Sequence, residues 1–222
     1  MNSIYKNSVQ KIVFKSGRIQ TFSESTSFKK VESVNDYENV SLTQVEGEVR
    51  GLYKIGEVSA KAKGATGFSN QERVKERAYR KFKIQAAIMG ANVIYLTNQR
   101  TEGNKWGNNG SSAETNLTGV AYSNVIPNFD EFKKVISAKR SFEARLRTSL
   151  WSNGTDMTQT DIVDQFSIFK ITNENGLIML DGELEGVSRY SRFRVVSFNN
   201  EYFNIFYEDN STVYNIAIKI NP

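Results

Sequence analysis

The chain has 222 residues, 39% of them hydrophobic and 24% charged, with a formal net charge of +5. This is the composition of a folded protein with room for one large core or two small ones. It has no histidine and no cysteine, which removes the commonest general base, the commonest metal ligand, thiolate nucleophiles and disulfides. The expectation is a protein that is not an enzyme and carries no cofactor.

Charge is unevenly spread. Residues 1–69 carry ten Lys/Arg against seven Asp/Glu, residues 70–150 fourteen against seven, and residues 151–222 five against ten. A basic middle beside an acidic tail favours mutual docking or self-association of two modules, or plain solubility. It also raises a basic face for polyanions. No apolar run reaches the roughly 18 residues that a membrane helix needs, and Met1-Asn2-Ser3-Ile4-Tyr5 lacks the apolar segment of a signal peptide.

In chain order, the first 35 residues are polar, with two readings for Val9–Phe22: a hairpin across Ser16-Gly17, or a partly disordered terminus. Period-two alternation over Val45–Gly51 and Val58–Gly64 predicts two half-buried strands, the second with a very small inner face of Val58, Ala60, Ala62 and Gly64. Ser69 with Glu72 three residues on predicts a capping box. The helix behind it shows Val74, Ala78, Phe82, Ala86 and Met89 on one face and ends at Gly90. Small inward residues would let that helix lie close on the sheet, with Phe82 and Met89 filling the gap.

Asn92–Thr97 predicts a strand, 103–112 a Gly/Asn loop, and Glu114–Tyr122 a returning strand in which Gly119 relieves crowding. Asn128, with Glu131 three on, caps a second helix whose apolar positions Phe132, Val135, Ile136, Phe142, Leu146 and Leu150 carry it to about Trp151. Beyond it, five strand-like runs separated by turn residues predict a β-meander. The fold class is α+β: an antiparallel or mixed sheet with one long covering helix, then a connecting helix and an all-β meander. The expected domains are 1–127, the connecting helix 128–151, and 152–222.

Ala86-Ala87-Ile88-Met89-Gly90-Ala91-Asn92-Val93-Ile94 and the return through Gly119-Val120-Ala121-Tyr122 resemble the YbjQ/RcsF-like group of small bacterial α+β domains. The likeness spans about residues 58–122. In it Gly90 stops the helix, Asn92 braces the turn and Val93 enters the sheet. The resemblance implies a bacterial protein of the cell envelope, periplasmic or associated with the outer membrane, where several members are lipoproteins. It brings no catalytic residues. The disulfide-dependent stress-sensing of one branch does not carry over to a chain without cysteine, and a lipid anchor would need a cysteine upstream of Met1.

The residues offered for partner binding are Trp106 and Lys105 in the Gly/Asn loop, where an exposed aromatic can anchor a partner, and Arg77, Arg80 and Lys81 on the first helix. Asp181, Glu183 and Glu185 sit two apart and would share one strand face, a weak candidate for Ca²⁺ or Mg²⁺ against the simpler reading of a solvated strand face. No nucleophile elbow, phosphate loop or paired-acid motif occurs. The expected function is non-catalytic: a bacterial interaction or structural protein that recognises a protein partner through its surface. The alternative is a cytosolic nucleic-acid or polyanion-binding module using the basic helix faces, a reading weakened by the lack of stacking aromatics on those faces.

Overall fold

The computed structural model describes residues 11–13, 19–21, 28–66, 69–103, 112–137 and 139–220. The chain divides into two compact units: Met1–Ala87 with Ala91–Val125, and Ile88–Gly90 with Ile126–Pro222. Both are rich in β-structure, and the helices are few.

In the first unit, β1 (Lys11–Val13) and β2 (Ile19–Thr21) pair antiparallel, which places strands where the hairpin was expected; the Ser16-Gly17 turn lies outside the described residues. The main sheet holds β3 (Ser41–Thr43), β4 (Tyr53–Lys63), β5 (Val93–Glu102) and β6 (Glu114–Ser123) in the order β3-β5-β6-β4. β3 runs parallel to β5 and the other pairs are antiparallel, so the sheet is mixed. The expected strand over Val45–Gly51 is not one. Thr43 Oγ1 accepts from the Val45 amide at 3.0 Å, and Glu46–Val49 closes into a single helical turn, α1. Gly47 lends no side chain to a ladder there, and the hydroxyl turn ends β3 first.

The α2 helix (Gln71–Ile88) buries Val74, Ala78, Phe82 and Ala86, the face its spacing predicts. Its cap is one residue later than expected. Asn70 Oδ1 accepts from the Arg73 amide at 3.1 Å, while Ser69 Oγ turns back to accept from the Thr66 amide. Asparagine is as good a cap as serine. Gly90 ends the helix at φ +77, with the Ala91 amide returning to the Ala86 carbonyl at 2.9 Å.

The small inner face of β4 is real: Val58, Ala60 and Ala62 are buried. A β-carbon on Gly119 in β6 would stand 2.5 Å from the Tyr95 carbonyl oxygen and 3.0 Å from Phe82 Cζ, so Phe82 occupies the space that glycine leaves. Asn92 braces the start of β5. Its Nδ2 donates to Asn124 Oδ1 (2.8 Å) and to the Lys29 carbonyl (3.1 Å), and its Oδ1 accepts from the Asn124 amide.

The second unit departs most from expectation. Asn128 caps α3 as predicted, its Oδ1 accepting from the amides of Asp130 and Glu131. But α3 covers only Phe129–Ile136 and ends at Ser137 with φ 52. The rest of the supposed connecting helix is a strand, β7 (Ser141–Trp151). It joins β8 (Thr158–Glu174), β9 (Leu177–Leu184), β10 (Arg192–Phe198), β11 (Tyr202–Asp209) and β12 (Thr212–Lys219) in a closed antiparallel barrel. The meander therefore has six strands and no free edge between first and last, because β12 pairs with β7. The unit boundary falls after Val125, and residues 128–151 belong with the barrel.

Two hairpin turns follow their chemistry. Asn175 and Gly176 (φ 53 and 89), and Asn210 and Ser211 (φ 47 and 63), adopt the left-handed pairs that match strand twist. Inside, Phe142, Phe166, Phe193 and Phe203 pack with Ala144 of β7 and with Ile, Leu and Val from the other five strands. Phe132 of α3 closes one end, its ring 5.5 Å edge-on from both Phe198 and Phe203.

Candidate functional site

Arg77 and Lys81 do not form an open basic face. Arg77 Nη2 donates to the Lys63 carbonyl and Lys81 Nζ to the Lys61 carbonyl, each at 3.1 Å. Lys81 is 4% exposed, and burial lowers its pKa below the ordinary lysine value. Arg80 is exposed and lies over the Tyr37 ring at 5.4 Å. The groove beside it, about 320 Å³, mixes Glu38, Glu72 and Glu76 with Lys75, Arg80 and Lys83. Lys105 and Trp106 lie outside the described residues.

Asp181 and Glu183 of β9 and Glu185 just past its end do not converge. Asp181 faces Arg192 Nε at 4.0 Å, Glu185 Oε2 accepts from the Gln165 amide, and Glu183 is exposed. Among the described residues no group of three acids could hold a metal ion.

A different cluster emerges at the barrel end away from α3. Cross-strand register builds it row by row, since residues directly opposite one another point to the same side of a sheet. Arg147 of β7 lies opposite Ile216 of β12, a core residue, and so turns inward. Its Nη2 donates to Asp164 Oδ2 of β8 at 2.8 Å, with both side chains partly exposed. In the next inward row Tyr207 is opposite Tyr214, their rings stacked 4.6 Å apart at 6°. Tyr190, from the turn after β9, tilts over Tyr207 at 5.8 Å. The outermost inward row runs Asp209–Thr212–Trp151 across β11, β12 and β7. Trp151 is 55% exposed.

Burial pushes the Tyr207 phenol up to about 12, with Arg147 acting against that shift and Tyr214, Asp209 and Asp164 adding to it. At neutral pH the phenol is a neutral ring with a donor, not a nucleophile. The end of the barrel is thus an aromatic cup with two carboxylates, Asp164 and Asp209, and one arginine already bound to an acid. Such a cup can hold a ligand by ring contact and charge.

A helix running to Trp151, as the apolar spacing predicts, keeps Arg147 and Trp151 apart from Asp209 and Tyr207; the strand brings them together. The signal for this cluster in the sequence is the alternation of Tyr214, Ile216 and Ile218 with Asn215, Ala217 and Lys219. Comparison with protein families, with curated proteins and with solved structures finds no match to the chain.

Proposed function

We propose that this chain is a non-catalytic recognition protein that binds a protein partner through the aromatic end of its barrel unit. The observation that carries the reading is the exposed Trp151 ring standing one row above the stacked Tyr207–Tyr214 pair. Exposed aromatics set on a rigid, packed scaffold are the usual anchors of binding hot spots. The rest of the barrel supports this: its interior is filled by phenylalanine and aliphatic side chains.

A polyanion-binding role through α2 finds less support. Arg77 and Lys81 are engaged with β4, and acids interleave the remaining bases. Placement in the bacterial cell envelope rests on the resemblance of residues 58–122 to the YbjQ/RcsF-like group. No helix among the described residues is long and apolar enough to cross a membrane.

The test is affinity capture from the source organism with wild type and Trp151→Ala side by side. A partner held by wild type and lost from the variant, with unchanged melting of the variant, supports the reading. Equal capture by both removes it. Fractionation of the native cells, with the protein recovered from cytosol alone, removes the envelope assignment.

A further inference from the structure

We infer that the barrel cup is a receptor for a cationic side chain, a lysine or arginine presented by the partner protein, held between the Trp151 ring and the Asp209 carboxylate. The inference rests on the recognition reading above and deepens it. Asp209 and Trp151 occupy one inward row with only Thr212 between them. Two strand spacings separate their backbones by roughly 9–10 Å. A cation over an indole face sits within about 6 Å of the ring centroid, and an ammonium–carboxylate contact takes about 3 Å more. Thr212 is the one residue between them in this row, and we assign the space above it to one ammonium or guanidinium group reaching both the indole face and the carboxylate.

Charge favours the same occupant. The cup holds Asp164 and Asp209 against Arg147, whose guanidinium is already committed to Asp164. The turns at this end add Asp156 and Glu185 against Arg189. The Ser152 amide donates to the Ser211 carbonyl at 3.0 Å, which ties the turn bearing Asp156 to the one beside Asp209. A cleft of one sign concentrates ligands of the other. Below, the partly exposed rings of Tyr214 and Tyr190 offer surface for the methylene stem of a lysine or arginine, with the buried Tyr207 backing them.

The experiment uses the full chain carrying Trp106→Phe, which leaves Trp151 as the only indole of two. Capped hexa-arginine is titrated at low ionic strength, and Trp151 emission is followed. The expected result is a saturable change, weakened about ten-fold by Asp209→Asn and by Thr212→Phe, reduced by added salt, and absent with capped hexa-glutamate. No saturable change, or equal binding by wild type and both variants, overturns the inference. So does a salt-independent response to a neutral oligosaccharide in place of the peptide.

Sedimentation of the protein alone is the companion measurement. A dimer dissociated by Asp209→Asn makes a second copy the occupant and overturns the assignment to a separate partner. If hexa-arginine fails while the Trp151-dependent partner is still captured, the cation inference falls and the recognition reading stands. If that partner is not found either, both fall.

Discussion

Lys81 reaches from α2 to the outer edge of β4, where its Nζ donates to the Lys61 carbonyl. It is the middle of three such contacts. Arg77 bonds the Lys63 carbonyl and Gln85 Oε1 accepts from the Ser59 amide. The Gly64 amide bonds Ala113 beside β6, so even-numbered residues of β4 turn toward β6 and the odd ones face outward. Four residues of helix rise about 6 Å and two residues of strand about 6.6 Å, and so an i, i+4, i+8 row of side chains can serve every outward residue in turn. The helix thereby covers an edge that would otherwise invite pairing with another chain.

Removing the central contact leaves the Lys61 carbonyl without this donor and takes the buried lysine stem away from the sheet. Lys81→Ala is expected to cost about 1–3 kcal/mol in urea unfolding, and Arg77→Ala, at a more exposed position, under about 1 kcal/mol. A Lys81→Ala protein as stable as wild type would show that the edge contact contributes nothing.

Gly119 is required by close approach and not by backbone angle. A side chain there meets the Tyr95 carbonyl and the Phe82 ring. Gly119→Ala should destabilise by about 1–3 kcal/mol, and Phe82→Leu in the same chain should recover part of that loss. Recovery is read as a coupling energy in a double-mutant cycle.

Glu114 accepts from Lys61 and Asn116, and these contacts hold its carboxyl below the ordinary glutamate value. A depressed acid in the folded state gives stability that is complete above the unfolded value and is lost as pH falls through the folded one. Lys61→Met should move the Glu114 titration, followed by carboxyl NMR, upward toward the ordinary value and flatten the acid limb of stability. An unchanged titration would refute the assigned cause.

Tyr207 shifts the other way, to about 12. The unfolded chain gives up this proton near pH 10, and so the stability contributed by the buried neutral phenol is complete below about 10 and disappears as pH climbs through 12. Tyr207→Phe should remove that part of the alkaline slope. Ultraviolet titration should show one fewer late-ionising tyrosine.

Phe132 tests whether α3 belongs to the barrel. Its ring is fully buried against Phe198 and Phe203, so Phe132→Ala should cost about 3–5 kcal/mol. A loss under about 1 kcal/mol would mean that the helix is not part of the core.

The residue pattern by itself determined the elements whose period is unbroken. Val58, Ala60 and Ala62 alternate, Val74, Ala78, Phe82 and Ala86 recur at helical spacing, and Gly90, Asn128 and Asn175-Gly176 mark ends and turns by local chemistry. Each of those signals depends on neighbours within one turn or one pleat. β7 was illegible for a specific reason. Its apolar residues Phe142, Leu146 and Leu150 fall four apart and imitate a helix face continuing from Phe132 and Ile136, while the register shift between Ala144 and Leu146 breaks the two-residue alternation that marks a strand.

The helix stop at Ser137 carries no glycine or proline to announce it. Closure of β12 onto β7, and with it the meeting of Trp151, Asp209, Tyr207 and Arg147, depends on pairing between residues more than fifty positions apart. Only the tertiary structure could bring those residues together, because long-range strand pairing is decided by how the whole barrel closes.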